Sequence, residues 1–338
     1  MHMAVRPRKW LMLKSCLPYT YRNKVTIESK CYKKLVFAEV QHFKEKGDIE
    51  TAIRLEAVFG RTATAENFEI GKFTACDRQV LYYNKWKSEN PKHVLIFING
   101  LESHAGWFSG IANDLVNKKI AVYGLDRRGS GLNARCFGGF EDWVCDIDRL
   151  IKRAKKENPC TKIHLISVCF GAKPATVCAI QQVEKLDSLI YLSPGMSVKV
   201  TPTLMEKLKI GLSILPWLSF NIQSPIRDDE MFTDSPKSLY FLYNDKLRTF
   251  SPRACDFFQA RKIDSYISKN SNKLKIPSLV LFAGKDQIVD NEKTKMAFQR
   301  FGQKPKIIEY HESEHVLFFG QAKNKLIGDI VNFVCTVA

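Results

Sequence analysis

Apolar and polar positions follow two patterns along the chain, and each pattern predicts a different kind of secondary structure. Continuous apolar runs such as Val94–Ile98 and Ile120–Leu125 predict strands that are covered on both faces. Residues 140–157 repeat apolar side chains at helical spacing, which predicts a helix with one buried stripe. Because runs and helices alternate, the sequence indicates an α/β fold, with a mostly parallel sheet flanked by helices.

The same patterns extend over most of the chain beyond residue 66. Further strands are predicted over Val80–Trp86, Ile163–Ile166, Leu186–Leu192, Ser278–Phe282 and Lys306–Tyr310, and further helices over Trp107–Asn117, Phe170–Val183, Lys293–Phe301 and Gln321–Phe333. The alternation lapses from about Pro194 to Asn272, where prolines recur. Ligands bind at the carboxyl edge of open α/β sheets, so we expect this stretch to be a lid there. A plain packing insertion is the alternative.

The chain is thereby divided into three parts. We expect a core over residues 66–194 and 273–338, a lid or cap over residues 195–272, and a mostly helical extension over residues 1–65. Helices are predicted in that extension over Val36–Lys46 and Ile49–Phe59. It carries no chemical motif, and its basic start suggests peripheral membrane contact or a solvated tail.

Composition and charge narrow the classes of partner. The 338 residues are 45% hydrophobic and 26% charged, as in globular proteins, and the net charge is +17. Such a charge favours anionic partners, including acyl-CoA or an acyl carrier protein. Lysines and arginines are scattered and form no nucleic-acid motif, so nucleic acid is not an expected partner. The oligomeric state does not follow from the sequence.

The ten cysteines form no Cys-x-x-Cys pair and show no zinc-like spacing with histidine. No apolar run is long enough for a signal segment or a membrane span. We therefore expect a cytoplasmic protein with reduced cysteines, no metal and no cofactor.

Candidate chemistry concentrates where the strand over residues 163–166 runs into a helix. The segment Ser167-Val-Cys-Phe-Gly171 has small residues at both ends, which lets the backbone turn sharply and lift Cys169 above the sheet. A thiol at the positive end of a helix is activated toward thiolate, which makes Cys169 the candidate nucleophile. Ser167 is the rival nucleophile, and an ordinary buried cysteine is the alternative.

A nucleophile requires a base, and the base requires an orienting acid. Asp286 ends the turn after the strand at residues 278–282, and His315 follows the last strand. The chain order nucleophile, acid, histidine is the one found in α/β-hydrolases. His311 and Asp290 remain alternatives for the base and the acid.

The loop that follows Val94–Ile98 can supply backbone donors for an oxyanion. We expect one donor to be the N–H of Leu101 and the other to be the N–H of Phe170, directly after the nucleophile. Gly100 permits the sharp turn of the loop. Gly100 and His104 of this loop and Trp217 of the insertion are the candidate substrate-binding residues.

These segments together resemble the monoacylglycerol lipase and lysophospholipase branch of the α/β-hydrolases, over about residues 66–335. The loop Asn99-Gly-Leu-Glu-Ser-His104 resembles the family's His-Gly-x-x-Glu-His, and the turn Asp126-Arg-Arg-Gly-Ser-Gly131 resembles its Asp-x-Arg-Gly-x-Gly. The acid turn Gly284-Lys-Asp286 and the segment Glu314-His315-Val-Leu also match the family. The resemblance implies an α/β-hydrolase fold, catalytic roles for Asp286 and His315, and oxyanion donors at Leu101 and Phe170.

The elbow departs from the family pattern Gly-His-Ser-Met-Gly because it carries a cysteine in place of the serine. Cysteine at this place resembles dienelactone hydrolases and polyhydroxyalkanoate synthases. We expect a Cys-His-Asp hydrolase that cleaves an acyl ester or thioester through an acyl-thioester intermediate. An acyltransferase with the same triad is the first alternative. A catalytically inactive binding protein is the second.

Overall fold

The computed structural model describes residues 67–181, 186–215 and 220–337. The extension expected over residues 1–65, with its two predicted helices, lies outside these ranges, as does Trp217. Within the described ranges, none of the helices combines the length and apolarity that crossing a bilayer requires.

Eight strands form one sheet in the order β1-β2-β4-β3-β5-β6-β7-β8. They are β1 (Phe68–Thr74), β2 (Val80–Trp86), β3 (His93–Ile98), β4 (Ile120–Leu125), β5 (Lys162–Val168), β6 (Ser188–Leu192), β7 (Ser278–Ala283) and β8 (Lys306–Tyr310). The β1–β2 and β2–β4 pairs are antiparallel, and all other pairs are parallel. The mostly parallel sheet predicted from the sequence is confirmed.

Helices follow most of the strands, as the alternation predicts. They are α1 (Ser109–Val116), α2 (Phe140–Glu157), α3 (Ala172–Gln181), α4 (Leu204–Leu212), α5 (Pro236–Asn244), α6 (Ala254–Asn270), α7 (Asn291–Phe298) and α8 (Lys323–Thr336). Short 3₁₀ turns at Ala105–Phe108 and Cys169–Gly171 precede α1 and α3. The predicted helix over Phe170–Val183 therefore begins later, because its first residues form a tighter turn.

The strand β1 has no counterpart among the sequence-based predictions. In its sequence Phe-Glu-Ile-Gly-Lys-Phe-Thr only Phe68 is buried, because the strand forms an edge of the sheet. An edge strand lacks the continuous apolar run by which central strands are recognised. By contrast, every residue of β3, β4 and β7 is buried.

The segment between β6 and β7 contains the helices α4, α5 and α6, so it is not irregular as the lapse in the pattern suggests. Thr203 caps α4 and forms a capping box with Glu206. Ser235 caps α5, which has Pro236 at its first position. These helices are short or weakly amphipathic, which is why periodicity alone does not reveal them.

Cys76 and Cys145 form a disulfide, so the expectation that all cysteines are reduced is wrong for this pair. Cys76 lies in the turn between β1 and β2, and Cys145 lies on α2, at a separation of 69 residues. The fold brings the two together, and no local spacing in the sequence marks them as partners.

The corner between β5 and α3 depends on close backbone packing. A Cβ at position 171 would lie 2.5 Å from the carbonyl oxygen of Asn99 and 2.6 Å from that of Ile98. Only glycine fits there, because real Cβ atoms do not approach backbone oxygens so closely. The loop after β3 and the start of α3 are thereby held against each other.

A buried histidine pair lies at the opposite end of the central strands. His93 Nδ1 and His164 Nε2 are 3.0 Å apart, and His164 Nδ1 is 2.7 Å from the Ser188 hydroxyl. Burial, followed by the charge of His93, lowers the pKa of His164 to about 3. Folding therefore keeps this imidazole neutral in weak acid, where the unfolded chain would protonate it.

We predict that Gly171→Ala destabilises the fold by about 3 kcal/mol, because the added methyl group overpacks the corner. The matched control is Gly328→Ala on α8, where an added Cβ meets nothing within 4 Å and alanine favours the helix. Urea unfolding of both variants measures the difference. A Gly171→Ala variant as stable as the control would contradict the packing argument.

We also predict that His164 contributes stability above about pH 6.5 that is lost as the pH falls toward about 3, since its folded-state pKa is depressed. The free energy of unfolding changes by up to about 1.4 kcal/mol per pH unit for one proton. His164→Asn should therefore show a shallower loss of stability between pH 7 and 4.5 than the wild type. His311→Asn, at an exposed position, is the control. Equal slopes in all three proteins would refute the role of His164.

Candidate active site

Cys169 lies at the sharp corner where β5 ends and the turn into α3 begins. Its backbone has φ of +50°, a left-handed conformation that is uncommon for residues other than glycine. Strain of this kind persists only where the surroundings impose it, and it collects at functional sites. At this corner Cys169 lines the same small pocket as His315.

Asp286 lies in the turn after β7, and its carboxylate is held by backbone donors. Oδ1 accepts hydrogen bonds from the N–H groups of Ile288 and Val289, both at 2.8 Å. Oδ2 lies 2.8 Å from Nδ1 of His315. The bond to Nδ1 orients the imidazole so that its other nitrogen, Nε2, is directed away from Asp286.

His315 is anchored on both sides of its position in the chain. Ser193 Oγ donates to the carbonyl oxygen of His315 at 2.7 Å, and the N–H of Val316 donates to the carbonyl of Phe232 at 2.9 Å. Burial of the imidazole lowers its pKa, but Asp286 and Cys169 raise it by more, to about 10. The Asp286 carboxylate beside the ring therefore favours its protonated form.

The alternative candidates lie away from this arrangement. Ser167 is fully buried within β5, with its hydroxyl directed at the carbonyl of Ile190 at 3.5 Å. His311 is exposed, and its nearest carboxylate is Glu309 at 3.8 Å. Asp290 caps α7 by accepting from the N–H of Lys293. Of the candidates, the structure brings together Cys169, Asp286 and His315.

Gly100, Leu101 and Phe170, the residues for which the sequence predicts binding or oxyanion roles, lie near the thiol. A Cβ added to Gly100 would lie 3.3 Å from Cβ of Cys169, so the loop passes directly beside the nucleophile corner. Leu101 and Phe170 line the same cavity as Cys169. The loop is held by Asn99, whose side-chain amide donates to the carbonyl of Gly100 at 3.1 Å and to Ser130 Oγ at 3.0 Å.

His104 does not line the cavity next to Cys169, contrary to the expectation that it contacts substrate. Its Nε2 faces the Asp245 carboxylate at 3.0 Å, and its Nδ1 accepts from the N–H of Gly106 at 3.1 Å. With both nitrogens engaged, the buried ring caps the 3₁₀ turn at Ala105–Phe108 and ties it to the segment between β6 and β7. The other predicted contact, Trp217, lies outside the described residues.

A cavity of about 470 Å³ opens beside Cys169. Its walls come from the core and from the segment between β6 and β7, and the apolar ones include Val198, Ile210, Ile226, Phe257, Phe258 and Ile288. Four charged residues also line it: Lys173, Lys207, Arg261 and Asp264. Leu204 and Leu208 of α4 are exposed and do not line this cavity.

A buried ion pair near the site has no signal in the sequence. Glu102, in the loop after β3, binds Arg248 through Oε2 at 2.6 Å, and Arg248 also contacts Asp229 at 2.6 Å. Burial raises the pKa of Glu102, and Arg248 opposes this. The pair links the loop beside Cys169 to the segment between β6 and β7, across 146 positions of sequence.

Comparison with known proteins places the chain in a family. Residues 89–321, more than half of the chain, match the Hydrolase_4 family, described as serine aminopeptidase, S33. A monoglyceride lipase homolog of Monkeypox virus is 22% identical over 219 residues, which cover 63% of this chain and 78% of the viral protein. Phospholipase YtpA of Bacillus subtilis is 25% identical over 223 residues, covering 61% of this chain and 80% of the relative.

Solved structures share the fold at low sequence identity. A monoacylglycerol lipase from Paleococcus ferrophilus superposes with a TM-score of 0.67 at 20% identity, covering 76% of this chain and 99% of the other. A soluble variant of monoglyceride lipase from Saccharomyces cerevisiae, in complex with a substrate analog, gives a TM-score of 0.72 at 13% identity, covering 82% and 97%. The chain thus belongs to the Hydrolase_4 family of α/β-hydrolases and is an esterase- or lipase-like hydrolase of the monoacylglycerol lipase and lysophospholipase-like branch.

Proposed function

We propose that this hydrolase cleaves a fatty acyl ester through a covalent acyl-thioester on Cys169, with His315 as acid and base and Asp286 as the orienting acid. The observation that carries the proposal is the left-handed corner at Cys169, whose thiol lines the same small pocket as His315, an imidazole that Asp286 holds at 2.8 Å. A thiol, a histidine and a carboxylate in this order are the parts that nucleophilic acyl transfer requires.

In the first half-reaction, Sγ of Cys169 adds to the ester carbonyl carbon and the carbonyl oxygen becomes an oxyanion. The N–H groups of Leu101 and Phe170 stabilise that charge. When the carbon–oxygen bond to the alcohol breaks, Nε2 of His315 gives its proton to the leaving alkoxide. The alcohol departs, and the acyl group remains on sulfur.

In the second half-reaction, the neutral imidazole takes a proton from water, and the hydroxide adds to the thioester carbonyl. A second oxyanion forms at the same donors and then collapses with cleavage of the carbon–sulfur bond. The fatty acid leaves, and Cys169 and His315 return to their starting state. Asp286 stays ionised throughout and stabilises the cation on His315.

The substrate class is proposed from the cavity and from the relatives. Apolar side chains from α4, α6 and the core surround a space of about 470 Å³ that begins at Cys169, which suits a hydrocarbon chain. Two relatives carry the names monoglyceride lipase homolog and phospholipase, which denote enzymes of acyl ester substrates. Residues 195–272 would act as the lid over that chain, and residues 66–194 and 273–338 as the catalytic core.

Acyl transfer by the same triad is the second candidate, and the elbow cysteine is the observation that favours it. A thioester reacts readily with amines and thiols, whereas a serine ester is better matched to hydrolysis. The cavity is lined by three cations, Lys173, Lys207 and Arg261, against one carboxylate, Asp264, which is compatible with an anionic donor. Acyl-CoA or an acyl carrier protein as that donor stays a prediction.

The expected cytoplasmic location also stays a prediction. The Cys76–Cys145 disulfide is more typical of an oxidising compartment. Peripheral membrane contact is a further prediction. The apolar side chains of Leu204, Met205 and Leu208, exposed on α4, would suit such contact in the described part of the chain.

We predict that incubation with an activated fatty acyl ester leaves an acyl group on Cys169, detectable as a mass increase of the intact protein. Cys169→Ala should remove the adduct, and His315→Ala should slow its formation by about 100-fold, since an acid and base catalyst is lost. Cys160→Ala, at an exposed cysteine outside the site, is the control and should acylate normally. Acylation that survives Cys169→Ala would refute the proposed nucleophile.

Hydrolysis and transfer are distinguished by adding acceptors. If hydrolysis is the reaction, turnover of the ester yields free acid, and primary amines, alcohols or thiols leave the rate and products unchanged. If transfer is the reaction, acceptors raise the turnover and appear as amide, ester or thioester products. Product analysis with and without each acceptor, on wild type and Cys169→Ser, measures the ratio of hydrolysis products to transfer products. We expect weak hydrolysis from Cys169→Ser, and unchanged activity would count against a thiol-specific role.

A further inference from the structure

Arg127 is a buried cation beside the candidate site that none of the steps above uses. It follows β4 and occupies the variable position of the turn Asp126-Arg-Arg-Gly-Ser-Gly131. Its side chain does not line the cavity at Cys169 but lies behind the loop that follows β3. Its backbone N–H donates to the side-chain oxygen of Asn99 at 2.9 Å, which fixes the start of the turn against that loop.

The guanidinium of Arg127 binds the peptide unit that carries one of the proposed oxyanion donors. Nη2 donates to the carbonyl oxygen of Gly100 at 3.0 Å and approaches that of Leu101 at 3.3 Å. The Gly100 carbonyl and the Leu101 N–H belong to one planar peptide, and the chain has no cis bonds among the described residues. In a trans peptide the C=O and N–H point to opposite sides, so a bond that holds the oxygen also sets the direction of the N–H.

The same guanidinium packs against the residue that carries the other proposed donor. Its central carbon lies 4.7 Å from the ring centroid of Phe170 and 5.6 Å from that of Trp143. Stacking of a cation on aromatic faces is attractive, and more so where water is excluded. Arg127 therefore contacts the residues of both donors, Leu101 through its peptide and Phe170 through its ring.

The surroundings leave Arg127 charged at neutral pH. Burial lowers its pKa to about 10, the charge of Asp256 raises it, and that of Arg253 lowers it. Arg253 is itself paired with Asp256 at 2.7 Å, and Asp126 accepts from the backbone N–H groups of Ala105 and Leu132. A charged donor on a carbonyl polarises the peptide and strengthens its N–H as a donor on the far side.

We infer that Arg127 is the positioning residue of the oxyanion hole, orienting and polarising the Leu101 N–H while it braces Phe170. The inference rests on the proposed function, since an oxyanion forms only if Cys169 attacks a carbonyl. Asn99 assists from the same side, because its amide also donates to the Gly100 carbonyl at 3.1 Å. Lysine would not replace Arg127, because an ammonium cannot bind the carbonyls and stack on both rings at once.

The test compares two reactions of the same thiol in the full-length protein. Acylation by 4-nitrophenyl butyrate develops an oxyanion, whereas alkylation by iodoacetamide displaces iodide and develops none. For Arg127→Met we expect kcat/KM of acylation to fall about tenfold or more, as when oxyanion stabilisation is weakened. We expect the alkylation rate of Cys169 in this variant, followed by intact mass, to change less than about threefold. For Arg127→Lys we expect kcat/KM of acylation to lie between the values for wild type and Arg127→Met.

The ratio of the acylation rate to the alkylation rate decides the outcome, because both rates come from the same folded molecules. Arg153→Met, at an exposed arginine paired with Glu157, is the control and should keep the wild-type ratio. An unchanged ratio in the Arg127 variants overturns the inference, and so does an equal fall of both rates, which is the result of a merely structural role. If Arg127→Met does not fold, the ratio in Arg127→Lys decides, with a fall of about threefold expected.

Failure of the proposed function gives a different result. Wild-type protein that is neither acylated nor alkylated at Cys169 would overturn the nucleophile, and with it the role of Arg127. Wild-type protein that reacts at Cys169, with Arg127 variants of unchanged ratio, would overturn the role of Arg127 alone.

Discussion

The close approach of Gly171 to the carbonyl oxygens of Ile98 and Asn99 is the constraint on which the site depends. Because no side chain separates the start of α3 from the end of β3, the nucleophile corner and the loop after β3 are held in contact. Cys169 takes a left-handed backbone at this corner. Leu101 and Phe170, which carry the proposed donors, line the same cavity as the thiol.

Around that corner, each functional group is held by a buried partner. Backbone N–H groups fix Asp286, Asp286 fixes the ring of His315, and Ser193 fixes its backbone. Groups that are fixed in this way stabilise charge in a reaction without having to move first. Preorganised sites gain most of their rate enhancement from such electrostatic stabilisation. The Arg248–Glu102 pair and the His104–Asp245 contact extend the same rigidity to the segment that covers the cavity.

Much of the fold follows from the sequence because its central elements are encoded locally. The strands β2, β4 and β8 and the helix α2 have the bounds that the apolar pattern predicts. The edge strand β1 and the helices α4 to α6 escape this reasoning, since an edge strand is half exposed and these helices are either short or weakly amphipathic. The insertion contains ordered helices, of which α4 contributes Ile210 to the cavity lining, while Leu204 and Leu208 face outward.

The sequence by itself determined the order of the candidate catalytic residues along the chain: a thiol at a strand-to-helix turn, then a carboxylate in a turn, then a histidine. Each is a local motif, recognisable from its few neighbours. Only the tertiary structure decided that Arg127 reaches the Gly100 carbonyl, that Arg248 pairs with Glu102, and that Cys76 meets Cys145. The physical reason is the strand order, in which β4, β3 and β5 lie side by side although they are not consecutive in the chain. Contacts between elements that are neighbours in the fold join residues that are distant in the sequence, and no local pattern of apolar and polar positions encodes such contacts.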